Sequence, residues 1–340
     1  MIPGSTIQIG NKTIGGDKSF IIAEIGANHC QSLQLAYEHI DAAKECGADA
    51  VKFQSIDLDE LYYKPSAETI ALHKQIDFPE EWHSLVKEYC DKKDIVFFST
   101  PTYLKSIDLL EEINVSLYKL ASAQVGTFPQ LVKKVAEAGK PVILSTGLVS
   151  YGELERVVKI FNEAGNPNFI ILHCNSIYPT PFHKVHLQLM DTYRKMFGCI
   201  VGFSDHTEGI AIPTAAVALG AKVIEKHFVL DKNMPSPDAP IAIEPPVFKE
   251  MVAAIRAVEQ ATAPYSRTEI YAEEKGFKDK IATRLFLKTG KKAGETLAES
   301  DLTFLRYTEG IDCRYMDTAV GKKLKQDLEA GTVLHSSDIE

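Results

Sequence analysis

Residues 198–209 read GCIVGFSDHTEG, and residues 221–227 read AKVIEKH. Each stretch is a short apolar run, typical of a buried β-strand, that ends abruptly in polar residues. Parallel pairing of the two runs would bring His206 and His227 to the same end of adjacent strands, where two imidazoles can bind one metal ion. Either histidine alone would more often be a hydrogen-bonded residue at a strand end, so it is the pair that favours a functional site.

A pattern of an apolar run, a polar end and an amphipathic helix occurs eight times along the chain. The apolar runs are residues 20–26, 50–54, 95–100, 117–122, 141–146, 169–174, 199–204 and 222–227. Eight strand-helix units in about 250 residues predict a (β/α)8 TIM barrel of the α/β class, and near-continuous apolar strands fit a sheet buried on both faces. The alternative is a doubly wound open sheet, but no Gly-x-Gly-x-x-Gly follows any run.

Three segments are predicted from the remaining patterns. Alternation around Gly10-Asn11 predicts an N-terminal hairpin, which belongs with the barrel in residues 1–262. A polar, charged stretch at residues 263–280 predicts a linker. Residues 281–340 contain the pattern A-G-x-x-L-x-x-S-D-[LI] twice, and two copies are too few for a solenoid, so we expect a small β-rich domain. The long connection 55–78 is either a lid or a segment that holds a short helix.

Composition narrows the function classes. A formal charge of -9 and a pI near 5.6 argue against a general binder of nucleic acid or anionic membranes. The N-terminus lacks a basic segment followed by a long apolar one, so we expect a cytoplasmic protein. The six cysteines are scattered without C-x-x-C pairs, and reduced thiols are expected; Cys174 is read as a small buried hydrophobe.

Polar residues stand at the end of every predicted strand, where a barrel builds its active site. They include Glu24, Lys52, Gln54, Thr100, Lys119, Ser122, Ser176, Ser204, Glu225 and Lys226. Lysines beside several hydroxyls suggest a site for phosphate or carboxylate, although each lysine alone is as readily a solvated or ion-paired residue. Lys226 has the opposite parity to His227 and would then face the helices.

The type of metal follows from the ligands. Two imidazoles without a third nitrogen or sulfur ligand suit a six-coordinate Mn²⁺, Mg²⁺ or Co²⁺ better than a closed zinc site. Such an ion would polarise a carbonyl of the substrate, and Glu24 could serve as general base or orient a water.

Eight short motifs occur in order along the chain. They are IAEIGANH (22–29), VKFQ (51–54), YKLAS (118–122), LSTG (144–147), LHCNSIYPTP (172–181), GFSDHT (202–207), EKHF (225–228) and PD (237–238). In these motifs the chain resembles the sialic acid synthases, a wider family that makes nonulosonic acids including legionaminic and pseudaminic acids. The C-terminal repeat resembles the small antifreeze-like (SAF) domain that ends these enzymes.

The resemblance implies condensation of phosphoenolpyruvate with an N-acylated amino-sugar aldehyde, by C–O cleavage and with release of phosphate. It assigns His206 and His227 to Mn²⁺ and Glu24 to water and proton transfer. Phosphoenolpyruvate would contact Lys52, Thr100, Lys119, Ser122, Ser176 and Ser204, and the sugar would contact Gln54, Gln124, Tyr178 and Asp238. It further implies a domain-swapped homodimer in which Arg306 reaches the acyl group of the sugar in the partner's barrel.

Three departures from the family pattern cluster where the sugar would bind: Tyr307 after Arg306, Gln124 in place of a glutamate, and the segment MPSPDAP at residues 234–240. The reaction class therefore follows more firmly than the substrate. Two other functions stay open: another metal-dependent, phosphoenolpyruvate-using barrel synthase or aldolase that makes a 3-deoxy sugar acid, and a noncatalytic carbohydrate-binding protein.

Overall fold

The computed structural model describes residues 6–340. The chain divides into two compact units, Met1–Ala263 and Pro264–Glu340. Within the predicted linker the structure has a helix, Ala272–Lys280. Among the residues described, no helix is long and apolar enough to cross a membrane.

Eight parallel strands form the sheet of the first unit, as predicted. They are β3 (Phe20–Glu24), β4 (Ala50–Ser55), β5 (Val96–Pro101), β6 (Tyr118–Leu120), β7 (Val142–Ser145), β8 (Phe169–Cys174), β9 (Ile200–Asp205) and β10 (Val223–His227). Each strand hydrogen-bonds to its neighbour in chain order except between β5 and β6, and β10 returns to pair with β3. Strands β5 and β6 lie side by side at the remaining gap, so the sheet curls into a nearly closed (β/α)8 barrel.

Helices cover the outside of this barrel. They are α1 (Leu33–Glu45), α2 (Leu58–Leu61), α3 (Ala67–Ile76), α4 (Glu80–Lys92), α5 (Leu104–Glu112), α6 (Ser122–Thr127), α7 (Pro129–Glu137), α8 (Tyr151–Glu163), α9 (Leu189–Phe197), α10 (Ala211–Ala218) and α11 (Pro245–Ala261). The long connection after β4 holds α2 and α3, the second of its two predicted forms. Ser122, expected at the end of a strand, instead begins α6.

The lower half of the barrel interior is apolar. Phe20, Ile22, Ala50, Phe98, Leu117, Ile143, Ile170, Leu172, Ile200 and Val223 form one buried cluster together with Ile7, Ile9 and Ile14. Those three isoleucines come from the N-terminal hairpin, β1 (Ile7–Ile9) and β2 (Lys12–Ile14), whose antiparallel register around residues 10 and 11 confirms the predicted turn. The hairpin therefore plugs the amino-terminal end of the barrel.

The upper half of the interior is polar because the same alternation continues along each strand. Further along each strand, beyond the apolar layer and on the same inward face, come Glu24, Lys52, Lys119, Ser145, Ser204 and Glu225, all of them buried. Because side chains alternate along each strand, these strands of the barrel each place an inward-facing polar residue at the same end of the barrel, where these residues lie close together.

The second unit is small and rich in short β-structure, as expected for the antifreeze-like domain. It contains α12 (Ala272–Lys280), the antiparallel strands β11 (Thr283–Leu287) and β12 (Leu302–Arg306), and an apolar core of its own. The two copies of the repeat form matching turns: Asp301 accepts a hydrogen bond from the N–H of Ala298 at 2.8 Å, and Asp338 accepts one from His335 at the same distance.

Candidate active site

A cavity of about 350 Å³ opens at the carboxyl end of the barrel strands. Most of the predicted site residues line it: Glu24, Lys52, Gln54, Lys119, Ser122, Ser176, Tyr178, Ser204, His206 and His227. Ser145, Cys174 and Glu225 complete the polar part of its wall. Residues that lie more than 200 positions apart in sequence therefore share one chamber.

Four other predicted residues lie elsewhere. Thr100 adjoins the cavity lining, because its Oγ1 accepts a hydrogen bond from Lys52 at 3.3 Å. Asp238 accepts one from the N–H of Ala27 at 3.0 Å and thereby ties down the loop after β3. Gln124 lies in α6 with a buried Oε1 that has no hydrogen-bond partner, and Arg306 is exposed at the end of β12 in the second unit.

The first ion pair of the site joins β3 and β4. Lys52 Nζ lies 2.7 Å from Glu24 Oε2, and Gln54 Nε2 donates to Glu24 Oε1 at 2.7 Å. Burial lowers the pKa of the Lys52 ammonium, but Glu24 and Glu225 together outweigh burial and raise it. Lys52 is therefore a fixed cation, and its contact together with that of Gln54 holds the Glu24 carboxyl group in a defined direction.

The second ion pair crosses the barrel from β6 to β10. Lys119 Nζ donates to Glu225 Oε1 at 3.0 Å, and Ser204 Oγ donates to the same oxygen at 2.9 Å. Burial alone would raise the pKa of Glu225, but the ammonium groups of Lys119 and Lys52 prevail and lower it to about 2. Glu225 Oε2 is buried without a hydrogen-bond partner, so this oxygen is free to accept one from a ligand.

Glu225 is the main residue that sequence reasoning left without a role. Glu225 is two residues before His227 on the same strand, and both side chains face the cavity. The missing information was its distance from Lys119, which lies 106 positions earlier in the chain and becomes a neighbour only when the barrel closes.

The two predicted histidines face each other, with ring centroids 5.4 Å apart. His206 Nδ1 lies 2.7 Å from the carbonyl oxygen of Asn175, which can only accept, so Nδ1 carries the proton and the Nε2 lone pair is free. Burial, with a smaller effect from His227, lowers the pKa of His206 to about 3. Neutral imidazole is the form that binds metals.

His227 also fits a ligand role, since its Nδ1 is buried without a hydrogen-bond partner. The ring of Tyr178 lies over the pair, 4.3 Å from His206 and 6.4 Å from His227 between centroids. Over residues 6–340, no group of three or more His, Cys, Asp and Glu side chains is arranged to hold a metal. The residues present therefore fit a divalent cation that takes two imidazoles and leaves its other positions to water and substrate oxygen.

Close packing brings two serines together beside Gly147. Its N–H donates to Ser122 Oγ at 2.9 Å. A Cβ at this position would lie 2.4 Å from Ser176 Oγ and 3.0 Å from Ser122 Oγ, so only glycine permits this approach. Cys174, expected to be a small buried hydrophobe, is indeed buried, but it also lines the cavity, with Sγ 3.9 Å from His206 Nδ1.

Two other polar residues at the strand ends point away from the cavity. Lys226 faces the helices, as its parity predicted, and forms a buried ion pair with Asp205. His173 is likewise turned outward and hydrogen-bonds to the carbonyl oxygen of Val185.

Comparison with known proteins identifies the family. The NeuB family matches residues 39–266, and the SAF domain matches residues 292–340. The chain is 35% identical to a pseudaminic acid synthase of Campylobacter jejuni over 98% of this chain and 99% of that protein. It is 36% identical to an N,N'-diacetyllegionaminic acid synthase of the same species, over 90% and 95% of the two chains.

A solved structure extends this relationship to three dimensions. The N-acetylneuraminic acid synthetase of Leptospira borgpetersenii, crystallised with citrate, superposes with a TM-score of 0.74 at 35% identity, over 81% of this chain and 97% of that chain. The chain is therefore a member of the NeuB family, an enzyme of the sialic acid synthase type that ends in a SAF domain.

Proposed function

We propose that this enzyme condenses phosphoenolpyruvate with the aldehyde of an N-acylated amino sugar to give a nonulosonic acid and phosphate. The observation that carries the proposal is the convergence, in one cavity, of two lysines, four serine hydroxyls and a pair of imidazoles. The ammonium groups and hydroxyls suit an anion with a phosphate and a carboxylate, and the imidazoles suit a cation that activates an aldehyde.

Phosphoenolpyruvate would lie against Lys52 and Lys119, which carry positive charge, and the phosphate or carboxylate oxygens would accept from Ser122, Ser176 and Ser204. Thr100 supports Lys52 through its hydrogen bond. Binding would require the anion to share the two ammonium groups with Glu24 and Glu225, because both lysines are already paired. The enzyme therefore exchanges one set of charge-assisted hydrogen bonds for another, which limits the desolvation cost.

The chemistry requires one new carbon–carbon bond and one C–O cleavage. C3 of the enol attacks the aldehyde carbon, water adds at C2, and the C2–O bond breaks so that its electron pair leaves with phosphate. Mn²⁺, or alternatively Mg²⁺ or Co²⁺, held by His206 and His227 would supply Lewis acidity toward the aldehyde oxygen. Glu24 would accept the proton of the attacking water, since its carboxylate is held in place by Lys52 and Gln54.

The acceptor sugar would occupy the outer part of the cavity. Gln54 and Tyr178 line the cavity and would contact the sugar, and Gln124 and Asp238 would contribute further hydrogen bonds. Arg306, supplied by a second copy in a domain-swapped homodimer, would contact the acyl group. The relatives include pseudaminic, diacetyllegionaminic and N-acetylneuraminic acid synthases, so the acceptor would be a di-N-acetylated 6-deoxyhexose or N-acetylmannosamine. Synthesis from these soluble metabolites is consistent with a cytoplasmic location.

The test is phosphate release from phosphoenolpyruvate with Mn²⁺ and a panel of acceptors. The panel comprises N-acetylmannosamine, the di-N-acetylated 6-deoxyhexoses of the legionaminic and pseudaminic routes, and arabinose 5-phosphate. Turnover with one acylated hexose supports the proposal, and ¹⁸O placed in the C2–O bridge of phosphoenolpyruvate should appear in the phosphate. Turnover with arabinose 5-phosphate alone would favour a 3-deoxy sugar acid synthase, and no turnover with any acceptor despite bound metal would favour a binding protein.

A matched pair of variants tests the anion site. Lys119→Met should lower kcat/KM for phosphoenolpyruvate by at least 100-fold, because it removes a buried cation from the cavity. Lys140→Met provides the control: Lys140 is paired with Glu111 at 3.0 Å outside the cavity lining, and its loss should leave turnover unchanged. Equal activity in the two variants would refute the assignment of Lys119.

A further inference from the structure

Two buried charges lie directly behind the active site and take no part in the proposed reaction. Asp205 of β9 and Lys226 of β10 are paired in the strand register and point toward the helices. Both side chains are wholly buried, with 0% exposure each, and Lys226 Nζ lies 2.6 Å from Asp205 Oδ2. Neither side chain lines the cavity.

The surroundings of this ion pair are apolar. Val201 and Phe203 precede Asp205 on the outward face of β9, Ile224 precedes Lys226 on that of β10, and all three belong to the main hydrophobic core between barrel and helices. An ion pair in such a layer contributes little net stability, because the loss of hydration offsets the attraction and an apolar pair of similar size is often as stable. Stability alone therefore does not account for these charges.

Their hydrogen bonds point to a different role. Asp205 Oδ1 accepts from the N–H of Thr207 at 2.9 Å, and Lys226 Nζ donates to the carbonyl oxygen of Thr207. Both backbone groups of Thr207 are thus held by the ion pair. His206 is the residue between Asp205 and Thr207, so its backbone is clamped on either side.

The other contacts of His206 complete this arrangement. Its carbonyl oxygen accepts from the N–H of Thr180 at 2.8 Å, and its Nδ1 hydrogen-bonds to Asn175 at 2.7 Å. Lys226 is also the residue immediately before His227. The ion pair therefore joins the ends of the two strands that carry the histidines, since Asp205 and Lys226 each lie one residue before a histidine in the chain.

We propose that the Asp205–Lys226 ion pair positions His206 against His227 so that both imidazoles can bind one metal ion. This inference rests on the metal site of the proposed function. Asp205 and Lys226 are positioning residues: they act through the backbone of residues 205–207 and touch neither substrate nor metal. Second-layer contacts of this kind commonly set metal affinity, and their loss weakens it by about 10- to 100-fold.

The test compares two double variants with the wild type. Asp205→Leu/Lys226→Met replaces the ion pair by apolar side chains of similar size and removes both bonds to Thr207. Asp205→Asn/Lys226→Gln removes the charges but keeps an acceptor for the N–H and a donor for the carbonyl. For each protein in metal-free form, the dissociation constant for Mn²⁺ is measured by calorimetry and the thermal midpoint by circular dichroism.

The expected result is a Mn²⁺ dissociation constant about 10- to 100-fold higher in the apolar double variant and within about threefold of the wild type in the amide double variant. Arg256→Met is the control for general destabilisation, because Arg256 pairs with Asp49 and Glu259 away from the cavity lining. It should lower the midpoint and leave Mn²⁺ binding unchanged.

Wild-type Mn²⁺ affinity in a folded apolar double variant would overturn the inference, and so would a large loss of affinity in a folded amide double variant. A wild-type protein that binds no Mn²⁺ would instead overturn the metal site of the proposed function. The two failures are distinguished because the first leaves wild-type binding intact.

Discussion

Glu225→Gln offers a direct measure of the charge balance inside the cavity. The substitution keeps the size of the side chain but removes the negative charge that Lys119 contacts at 3.0 Å. At an effective dielectric constant of about 20, a pair at this distance is worth about 5.5 kcal/mol of Coulomb attraction. The variant regains part of this attraction energy, because one carboxylate fewer must be stripped of water on folding. Breaking a buried ion pair typically costs about 3–5 kcal/mol of the free energy of unfolding in total.

Such a loss of stability should produce a large decrease in the thermal midpoint. For a domain of roughly 150–250 residues each kcal/mol lowers the midpoint by about 2–4 °C, so we expect a fall of about 8–16 °C at 4 kcal/mol. Inorganic phosphate should restore part of it. In the variant an anion no longer competes with Glu225 for Lys119, so a tenfold gain in phosphate affinity would add about 1.4 kcal/mol of stabilisation at saturating phosphate.

The assay is therefore the thermal midpoint of metal-free protein with and without phosphate, together with turnover, which should fall sharply. Glu259→Gln is the matched control, since Glu259 is a largely buried carboxylate paired with Arg256 at 2.9 Å outside the cavity lining. It should lower the midpoint without increasing the response to phosphate. An unchanged midpoint in Glu225→Gln, or equal phosphate responses in the two variants, would refute this account of the site.

Four further outcomes are expected. His206→Ala and His227→Ala should each abolish turnover with little change in the midpoint of the metal-free protein, because they remove rings that face a cavity; activity that survives both changes would exclude the metal assignment. The pKa of His206 is about 3 in the folded protein against 6.5 in an unfolded chain, so the unfolded chain takes up a proton first as the pH falls. The free energy of unfolding should therefore decrease as the pH drops from 6.5 toward 3. His206→Gln should weaken this dependence in thermal melts recorded over that pH range. Gly147→Ala should raise the KM for phosphoenolpyruvate by about 10- to 100-fold, because the new Cβ displaces Ser176 from a distance of 2.4 Å; an unchanged KM would place the substrate elsewhere. Arg306→Ala should raise the KM for the sugar, and an effect confined to the KM for phosphoenolpyruvate would contradict the proposed role of the swapped domain.

Much of the site was predictable because strand alternation is a local property. Once eight apolar runs are recognised, parity alone places Glu24, Lys52, Ser204 and His227 inside and directs Lys226 toward the helices, as the structure confirms. Parallel strands in a barrel all carry their carboxyl ends to one face, so the polar residues that follow each run must meet there. The resemblance to the sialic acid synthases was read from motifs that contain those same residues.

Predictions failed where a residue's role depends on contacts across the barrel. Sequence identified Lys52 and Lys119 as candidates for binding an anion and left open that they are ion-paired, but it did not identify Glu24 and Glu225 as their partners, which changes how an anion must bind. The short helix that begins at Ser122 was also missed, since its 6 residues make fewer than two turns and leave too few periodic positions to detect.

Local sequence therefore determines the order of the strands along the chain, their inward and outward faces and the chemical type of each side chain. It does so because alternation and turn chemistry act over a few residues. Which charge faces which other charge was decided by the tertiary structure alone. The Lys119–Glu225 pair and the clamp of Thr207 by Asp205 and Lys226 exist only after the sheet curls and the strands fall into register. Electrostatic contacts depend on distances of about 3 Å in space, and no local pattern encodes a distance between segments that lie far apart in the chain.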